Sequence, residues 1–364
     1  MLRAANYPMR TAAMVAGWLL CVWPRQGLGT HAGFAHAAMP PPTGLQTDVR
    51  FDAYTPLSQG SEIARRLFTP LTYARLQHYL ADHRGAMREQ SIDLAQERFV
   101  LYVPTGTPPP SGYGLLVFVP PWPQAALPEG WARELDRRGL IYVSMANAGN
   151  AADVIDRRVP LALLAWANAG RRYPLDPAHV YVGGYSGGSR VALRIALAYP
   201  DVFHGALLEA GSDPPGGAAL SLPPVTLFHR FQQDTRLVFL TGGQDAAHLQ
   251  MDTASRQALR RWCVTDMASV TPPWLGHEIA GAAALGQALD ALARPLPPQG
   301  GALAPCRARN EGEVASALSG VQKALSRGDR EQAQRRLDAI DGRFGGLAAT
   351  RLLELQARLD VRPP

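Results

Sequence analysis

Residues 180–189 read Val-Tyr-Val-Gly-Gly-Tyr-Ser-Gly-Gly-Ser and are the most informative stretch of this 364-residue chain. Three apolar residues typical of a buried strand run into a glycine-rich turn, and a helical pattern follows at once. Gly184, Ser186 and Gly188 form a G-x-S-x-G motif at the turn. A serine at a sharp strand-to-helix turn has a strained backbone and needs neighbours without side chains, so the motif predicts an exposed nucleophile. The alternative is a glycine-rich helix start that serves only close packing.

Apolar strand patterns alternate with helical patterns on both sides of this turn. The strand patterns cover residues 99–103, 115–119, 140–144, 180–182, 206–210 and 237–240, and the helical ones 61–83, 129–138, 155–172, 191–198 and 280–292. Strands that are apolar throughout and alternate with helices predict an α/β fold with a mostly parallel sheet, covered by helices on both faces. In such a sheet, functional residues collect at the carboxyl ends of the strands.

A serine hydroxyl needs a base to remove its proton and a third group to orient that base. In this architecture the partners follow along the chain in the order Ser, Asp or Glu, His. Asp245 comes just after a predicted strand, and His277 lies in a loop before a predicted helix. We therefore predict that both are partners of Ser186. Asp213 and His248 are the alternatives for these two roles.

The serine turn, the Gly-Gly-Gln-Asp segment that ends at Asp245 and the Gly-His-Glu segment around His277 together resemble the α/β-hydrolase superfamily. Within it, the chain is most similar to secreted serine esterases of the polyhydroxybutyrate depolymerase and feruloyl esterase type. The resemblance covers residues 95–294. It implies that Ser186 is the nucleophile, that His277 is the general base and acid, that Asp245 orients it, and that no cofactor is needed.

Stabilising the oxyanion of such a reaction takes two N–H donors, and members of the superfamily commonly have a His-Gly pair after the early strand. Here residues 120–124 read Pro-Pro-Trp-Pro-Gln, and proline has no N–H to donate. We expect the backbone N–H of Trp122 to be one donor, with its indole forming a wall of the site, and that of Gly187 to be the other. The alternative is that Trp122 is simply packed and the oxyanion hole is incomplete.

Two further residues are candidates for substrate binding. Tyr185, within the turn, is a predicted pocket wall. Asn147 follows a predicted strand, so it either hydrogen-bonds the substrate or shapes a turn. The chain has no H-E-x-x-H, paired C-x-x-C or G-x-x-x-x-G-K-[ST] motif, and we therefore predict neither a metal nor a nucleotide cofactor.

Residues 1–37 are typical of a secretory signal peptide. Arg3 and Arg10 precede an apolar run at residues 11–23 that is shorter than a membrane span, and Ala-His-Ala at 35–37 fits a cleavage site. We predict removal of this segment, a secreted or periplasmic protein and no stable membrane span; a retained anchor is the alternative. The formal charge of +6 forms no clustered basic stripe, so no nucleic-acid partner is expected.

Composition divides the remaining chain into four parts. Residues 38–94 are an N-terminal extension with a helix interrupted at Pro70, residues 95–294 the α/β-hydrolase domain, residues 295–310 a Pro- and Gly-rich linker, and residues 311–364 a small all-helical unit. We expect the helical unit to cap the main domain, and docking of a protein partner is the alternative.

Two cysteines remain outside the signal segment, Cys263 and Cys306. An even pair in an oxidising compartment favours a disulfide, and two separate buried thiols are the alternative.

These features predict a secreted serine hydrolase that cleaves carboxylic esters, small or polymeric, through an acyl-enzyme intermediate. The alternatives are a serine peptidase of the α/β-hydrolase type and a catalytically weak binding or scaffold protein that keeps the fold. No residue in the sequence identifies which ester is cleaved.

Overall fold

The computed structural model describes residues 41–217, 219–296 and 301–360, so the predicted signal peptide at 1–37 lies outside the described residues. Within them, eight strands form one sheet: β1 (Gly44–Val49), β2 (Phe99–Val103), β3 (Tyr113–Val119), β4 (Leu140–Met145), β5 (Leu175–Tyr185), β6 (Gly205–Glu209), β7 (Arg236–Leu240) and β8 (Met267–Val270).

The strand order is β1-β2-β4-β3-β5-β6-β7-β8. Strand β2 pairs antiparallel with β1 and β4, whereas every neighbouring pair from β4 to β8 is parallel. This order, with its antiparallel second strand, is that of the α/β-hydrolase fold, so the predicted fold class is confirmed.

Eleven α-helices accompany the sheet in the described ranges: α1 (Gly60–Leu67), α2 (Pro70–Asp82), α3 (Trp131–Arg138), α4 (Val159–Arg172), α5 (Gly187–Ala198), α6 (Val225–Asp234), α7 (Ala246–Arg261), α8 (Ala282–Ala293), α9 (Leu303–Ser326), α10 (Arg330–Phe344) and α11 (Ala349–Asp360). As predicted, the helical pattern after residue 60 is broken at Pro70, which begins α2 and satisfies the proline's preference for the first turn.

Helices cover both faces of the sheet because its central strands are apolar on both. Along β3, Leu115 and Val117 belong to one buried cluster with residues of α4 and α5, whereas Leu116 and Phe118 belong to a second cluster with residues of α3 and α8. Side chains alternate between the faces of a strand, so a run without polar residues buries both. The carboxyl ends of the strands are left free for the functional residues.

The C-terminal helices pack onto the rest of the chain. Val321 and Leu337 belong to the same buried cluster as the sheet residues, and the backbone N–H of Leu71 in α2 donates to Asp341 in α10 at 3.0 Å. The predicted disulfide between Cys263 and Cys306 is present, with a Cα–Cα distance of 5.9 Å. No helix of the described ranges is long and apolar enough to span a membrane.

Some elements differ from the sequence predictions. Strand β1 lies in the segment expected to be an extension but pairs with β2, and α9 begins at Leu303, inside the expected linker. A π-helical turn at Val154–Arg158 precedes α4, where one longer helix was expected. Strand β8 and helices α6 and α7 were not predicted. Strand β8 is a short and incompletely buried edge strand, so it lacks the apolar run that marks the central strands. The domain boundaries themselves stay a prediction.

Candidate active site

Strand β5 turns into helix α5 at Ser186. This residue has φ 53° and ψ −120°, a backbone conformation that costs a residue with a side chain about 1–3 kcal/mol. A Cβ on Gly184 would lie 2.4 Å from the backbone of Gly188, and a Cβ on Gly188 would lie 1.9 Å from the carbonyl oxygen of Val119. The turn therefore requires both glycines of the motif, and it leaves Ser186 half-buried at the carboxyl end of the sheet.

The structure brings the three predicted residues Ser186, His277 and Asp245 together. His277 Nε2 lies 3.1 Å from Ser186 Oγ, and its Nδ1 lies 2.7 Å from Asp245 Oδ2. Asp245 follows β7 and caps α7, and His277 lies in the loop between β8 and α8. Three loops at the same end of the sheet thus place a hydroxyl, an imidazole and a carboxylate in one hydrogen-bonded series.

The Asp245 carboxylate is buried, with only 6% of its side chain exposed. Burial opposes its ionisation, yet hydrogen bonds from His248 and His277 hold its pKa below the usual range. An ionised carboxylate can only accept, so His277 Nδ1 carries the proton and Nε2 is left to accept one from Ser186. This is the tautomer that a general base needs.

Asp213 does not replace Asp245 in this series, and His248 does not replace His277. Asp213 accepts a hydrogen bond from Arg190 Nε at 2.8 Å. His248 lies in the first turn of α7, where its Nδ1 contacts Asp245 Oδ1 at 2.8 Å and its ring stacks on that of His277. His248 is therefore beside the series as a second partner of Asp245. The sequence alone predicts His248 only as an alternative to His277.

The loop that carries His277 is fixed at Ala280. The backbone N–H of Ala280 donates to Glu209 Oε1 at the end of β6, and its carbonyl accepts from Trp131 Nε1 at 2.8 Å. Glu209 is buried, its Oε2 has no hydrogen-bond partner among the described residues, and burial raises its pKa to about 8. The Glu209 carboxyl group thus holds the loop against the sheet through its hydrogen bond with Ala280.

The two expected oxyanion donors lie on adjoining segments. Among the described residues, the backbone N–H groups of Trp122 and Gly187 have no hydrogen-bond acceptor, so both remain able to bind a substrate oxygen. The Trp122 loop is fixed to the loop after β4, because the backbone N–H groups of Asn147 and Asn150 donate to the carbonyls of Pro123 (2.6 Å) and Pro121 (2.8 Å).

Close packing also fixes this loop. A Cβ on Gly149 would lie 2.7 Å from the carbonyl carbon of Trp122, so only glycine allows the approach. A Cβ on Gly187 would lie only 2.1 Å from Asn150 Oδ1, so the side chain of Asn150 also requires glycine at this position. The loop after β4 therefore supports both donor segments.

The predicted substrate-binding residues differ in their surroundings. The buried Tyr185 ring stacks on His277 with centroids 5.1 Å apart, and the Trp122 ring lies 5.9 Å from Tyr185, so the two aromatics line one side of the series. Burial, followed by the charge of Glu209, raises the pKa of Tyr185 to about 12. Asn147 has φ 54°, and its backbone carbonyl accepts a hydrogen bond from Arg157 at 2.7 Å. Its backbone therefore forms a turn, which is one of the two predicted alternatives.

One further group of donors could hold a cation. Asp245, His248 and His277 each offer a nitrogen or oxygen atom, and these atoms lie within 4.8 Å of one another. Two imidazoles and a carboxylate are ligands that suit a divalent transition metal. The same atoms are already hydrogen-bonded to each other, so a metal would compete with that arrangement.

No protein-family model and no curated protein matches the chain. Among solved structures, it is similar to a fluorophosphonate-binding serine hydrolase of Staphylococcus aureus, with 16% identity, a TM-score of 0.42, and coverage of 55% of this chain and 93% of that one. A ferulic acid esterase of the anaerobic fungus Anaeromyces mucronatus aligns at 14% identity and TM-score 0.40, over 54% of this chain and 84% of that one.

A protein of Bacteroides ovatus described as a dipeptidyl aminopeptidase IV aligns at 16% identity and TM-score 0.41, over 54% of this chain. The chain spans only 33% of that protein's length. The assignment of the fold rests on the strand order and not on these similarities.

Proposed function

We propose that this protein is a secreted serine hydrolase that cleaves carboxylic esters. The observation that carries the proposal is the hydrogen-bonded series from Ser186 through His277 to Asp245, with distances of 3.1 and 2.7 Å. Such a series activates a hydroxyl that is otherwise a poor nucleophile. The Cys263–Cys306 disulfide supports export to an oxidising compartment.

The reaction takes two steps. Ser186 Oγ attacks the ester carbonyl while His277 Nε2 takes its proton, and the negative oxygen accepts hydrogen bonds from the N–H groups of Trp122 and Gly187. The tetrahedral intermediate expels the alcohol, which receives the proton from His277. Water, deprotonated by His277, then attacks the acyl-enzyme, and the carboxylic acid leaves with Ser186 restored. Asp245 stays ionised throughout and stabilises the imidazolium.

Among carboxylic esters, the proposed substrates are those of polyhydroxybutyrate depolymerases and of feruloyl esterases. The aromatic side formed by Trp122 and Tyr185 suits an apolar or aromatic ester group. A panel of aryl esters, a feruloyl ester and a solid polyester, each incubated with the mature protein, ranks these substrates.

Labelling with a fluorophosphonate probe and turnover of a neutral aryl ester test the proposal. We expect the wild type to be labelled and active, and Ser186→Ala to lose labelling and at least about 10⁴-fold of kcat without a change of melting temperature. Ser326→Ala removes an exposed hydroxyl on α9 and is the matched control, which keeps full activity. An unlabelled wild type that hydrolyses no ester would contradict the proposal, and faster cleavage of a peptide amide than of the ester would favour the peptidase.

A further inference from the structure

A cleft adjoins Ser186, and its lining includes neither Trp122 nor Tyr185. It has a volume of about 440 Å³, within the range of small-molecule sites, and Ser186 and Gly187 form part of its lining. Three arginines also line it, Arg158, Arg190 and Arg194, and the carboxylate in its lining is Asp213. The cleft is therefore positively charged next to the proposed nucleophile.

Arg158 is unusual among these residues because it is a buried cation without an ion-pair partner among the described residues. It is only 3% exposed, and burial lowers its pKa to about 10, so it stays charged at neutral pH. Its guanidinium donates to the carbonyl of Pro120 at 2.9 Å and to that of Gly187 at 3.4 Å, and its Nε has no partner. A buried cation without a counter-ion is costly unless something anionic binds it.

Arg194 adds to this positive charge, whereas Arg190 is neutralised by its ion pair with Asp213. Arg194 donates to the carbonyl of Ala219 at 2.5 Å, and burial lowers its pKa, opposed in part by Asp213. Asp213 is already paired with Arg190, so it does not neutralise Arg158. Guanidinium groups bind carboxylates through paired hydrogen bonds, which makes arginine the residue suited to this ligand.

We infer that this cleft binds a carboxylate carried by the substrate, so that the enzyme prefers short esters that bear a free carboxylate. The inference rests on the proposed function, because the bound carboxylate belongs to the same substrate whose ester carbonyl Ser186 attacks. A half-ester of a dicarboxylic acid or the acid end of a short oligoester has the required chemistry. The carboxylate can lie on the acyl side or the alcohol side of the ester, and the test distinguishes these two positions.

The test uses two matched pairs of esters, with release of the phenol as the readout. The acyl-side pair is monophenyl adipate and methyl phenyl adipate, and the alcohol-side pair is 4-acetoxybenzoate and its methyl ester. At low ionic strength we expect kcat/KM to be at least about 10-fold higher for the anionic member of one pair. This preference should fall as salt screens the charges.

Variants tie the preference to the cleft. Arg158→Met and Arg194→Met should each reduce the anionic-to-neutral ratio of kcat/KM at least threefold, and Arg194→Met decides if Arg158→Met does not fold. Arg133→Gln is the control, because it removes one exposed positive charge from α3, outside the cleft, and should leave the ratio unchanged. An equal ratio in wild type and both cleft variants would overturn the inference.

Binding to Ser186→Ala separates this inference from the proposed function. Calorimetry with the same esters should show at least tenfold tighter binding of the anionic member. Hydrolysis of neutral esters without any anionic preference would leave the esterase and remove the carboxylate site. Tight anion binding without turnover in the wild type would leave the site and remove the esterase.

Discussion

His248 and His277 share the carboxylate of Asp245. Their rings stack with centroids 4.2 Å apart and planes 13° apart, and each Nδ1 contacts a different carboxylate oxygen. Because both oxygens of Asp245 are engaged, the carboxylate cannot rotate without losing a hydrogen bond. His248 therefore orients Asp245, which in turn orients His277.

Replacing His248 tests this chain of contacts. Loss of one hydrogen bond to a charged group costs about 1.5–3 kcal/mol, so we expect His248→Ala to lower kcat for an aryl ester by roughly 10- to 100-fold. His277→Ala should lower it by at least about 10⁴-fold, since the proton acceptor itself is gone. His248→Asn keeps a side-chain donor and should recover part of the loss. If His248→Ala proved as damaging as His277→Ala, the assignment of the base would need revision.

A methyl group at Gly149 tests the oxyanion loop. Its Cβ would lie 2.7 Å from the carbonyl carbon of Trp122, so Gly149→Ala must displace the segment that carries the expected donor. Because loss of one such donor costs about 10²- to 10³-fold, we expect kcat to fall by that factor while the protein stays folded. Gly281→Ala is the matched control, since a Cβ there meets no atom within 4 Å. Full activity of Gly149→Ala would exclude Trp122 as a donor.

Local requirements explain what could be predicted from the sequence. Gly184 is required because a Cβ there would meet the turn's own backbone, and Gly188 because a Cβ there would meet the carbonyl oxygen of Val119 on β3. Both requirements fall on residues of the turn itself, so the motif can be recognised from the local sequence. Asp245 and His277 could be predicted to lie beside Ser186, because the order of the partners and the ends of the strands restrict the choice. The central strands could be predicted because burial on both faces leaves them almost entirely apolar.

Long-range contacts explain what could not be predicted. Arg158 acts on carbonyls 38 and 29 residues away in the chain, and no local pattern marks such a partner. Glu209 cannot be distinguished in the sequence from other residues at strand ends, because its contact with Ala280 is visible only in the folded chain. His248 could have been found, because Asp245 at the start of α7 is a typical N-cap, and a residue three positions later lies beside its side chain.

Removing the disulfide tests the attachment of the C-terminal helices. Cys263 and Cys306 are 43 residues apart, and closing a loop of this length stabilises the folded state by about 4 kcal/mol in the chain-entropy description. We expect the double variant Cys263→Ser, Cys306→Ser to unfold at a clearly lower urea concentration than the wild type. A reducing agent should lower the wild type to the same midpoint and leave the variant unchanged. Equal midpoints of oxidised wild type and variant would show that packing alone holds α9 in place.

The buried carboxyl group of Glu209 predicts how stability depends on pH. Its pKa is raised to about 8 in the folded protein, above the ordinary value of 4.5, because burial disfavours the charged form. Between these values the folded state keeps a proton that the unfolded state releases, so the free energy of unfolding falls as pH rises, by up to about 1.4 kcal/mol per pH unit. Glu209→Gln can still accept the hydrogen bond from Ala280 and does not ionise. We expect its urea midpoint to change less than that of the wild type between pH 5 and pH 8, a window that follows from the two pKa values. Parallel curves for the two proteins would mean that Glu209 does not carry this proton.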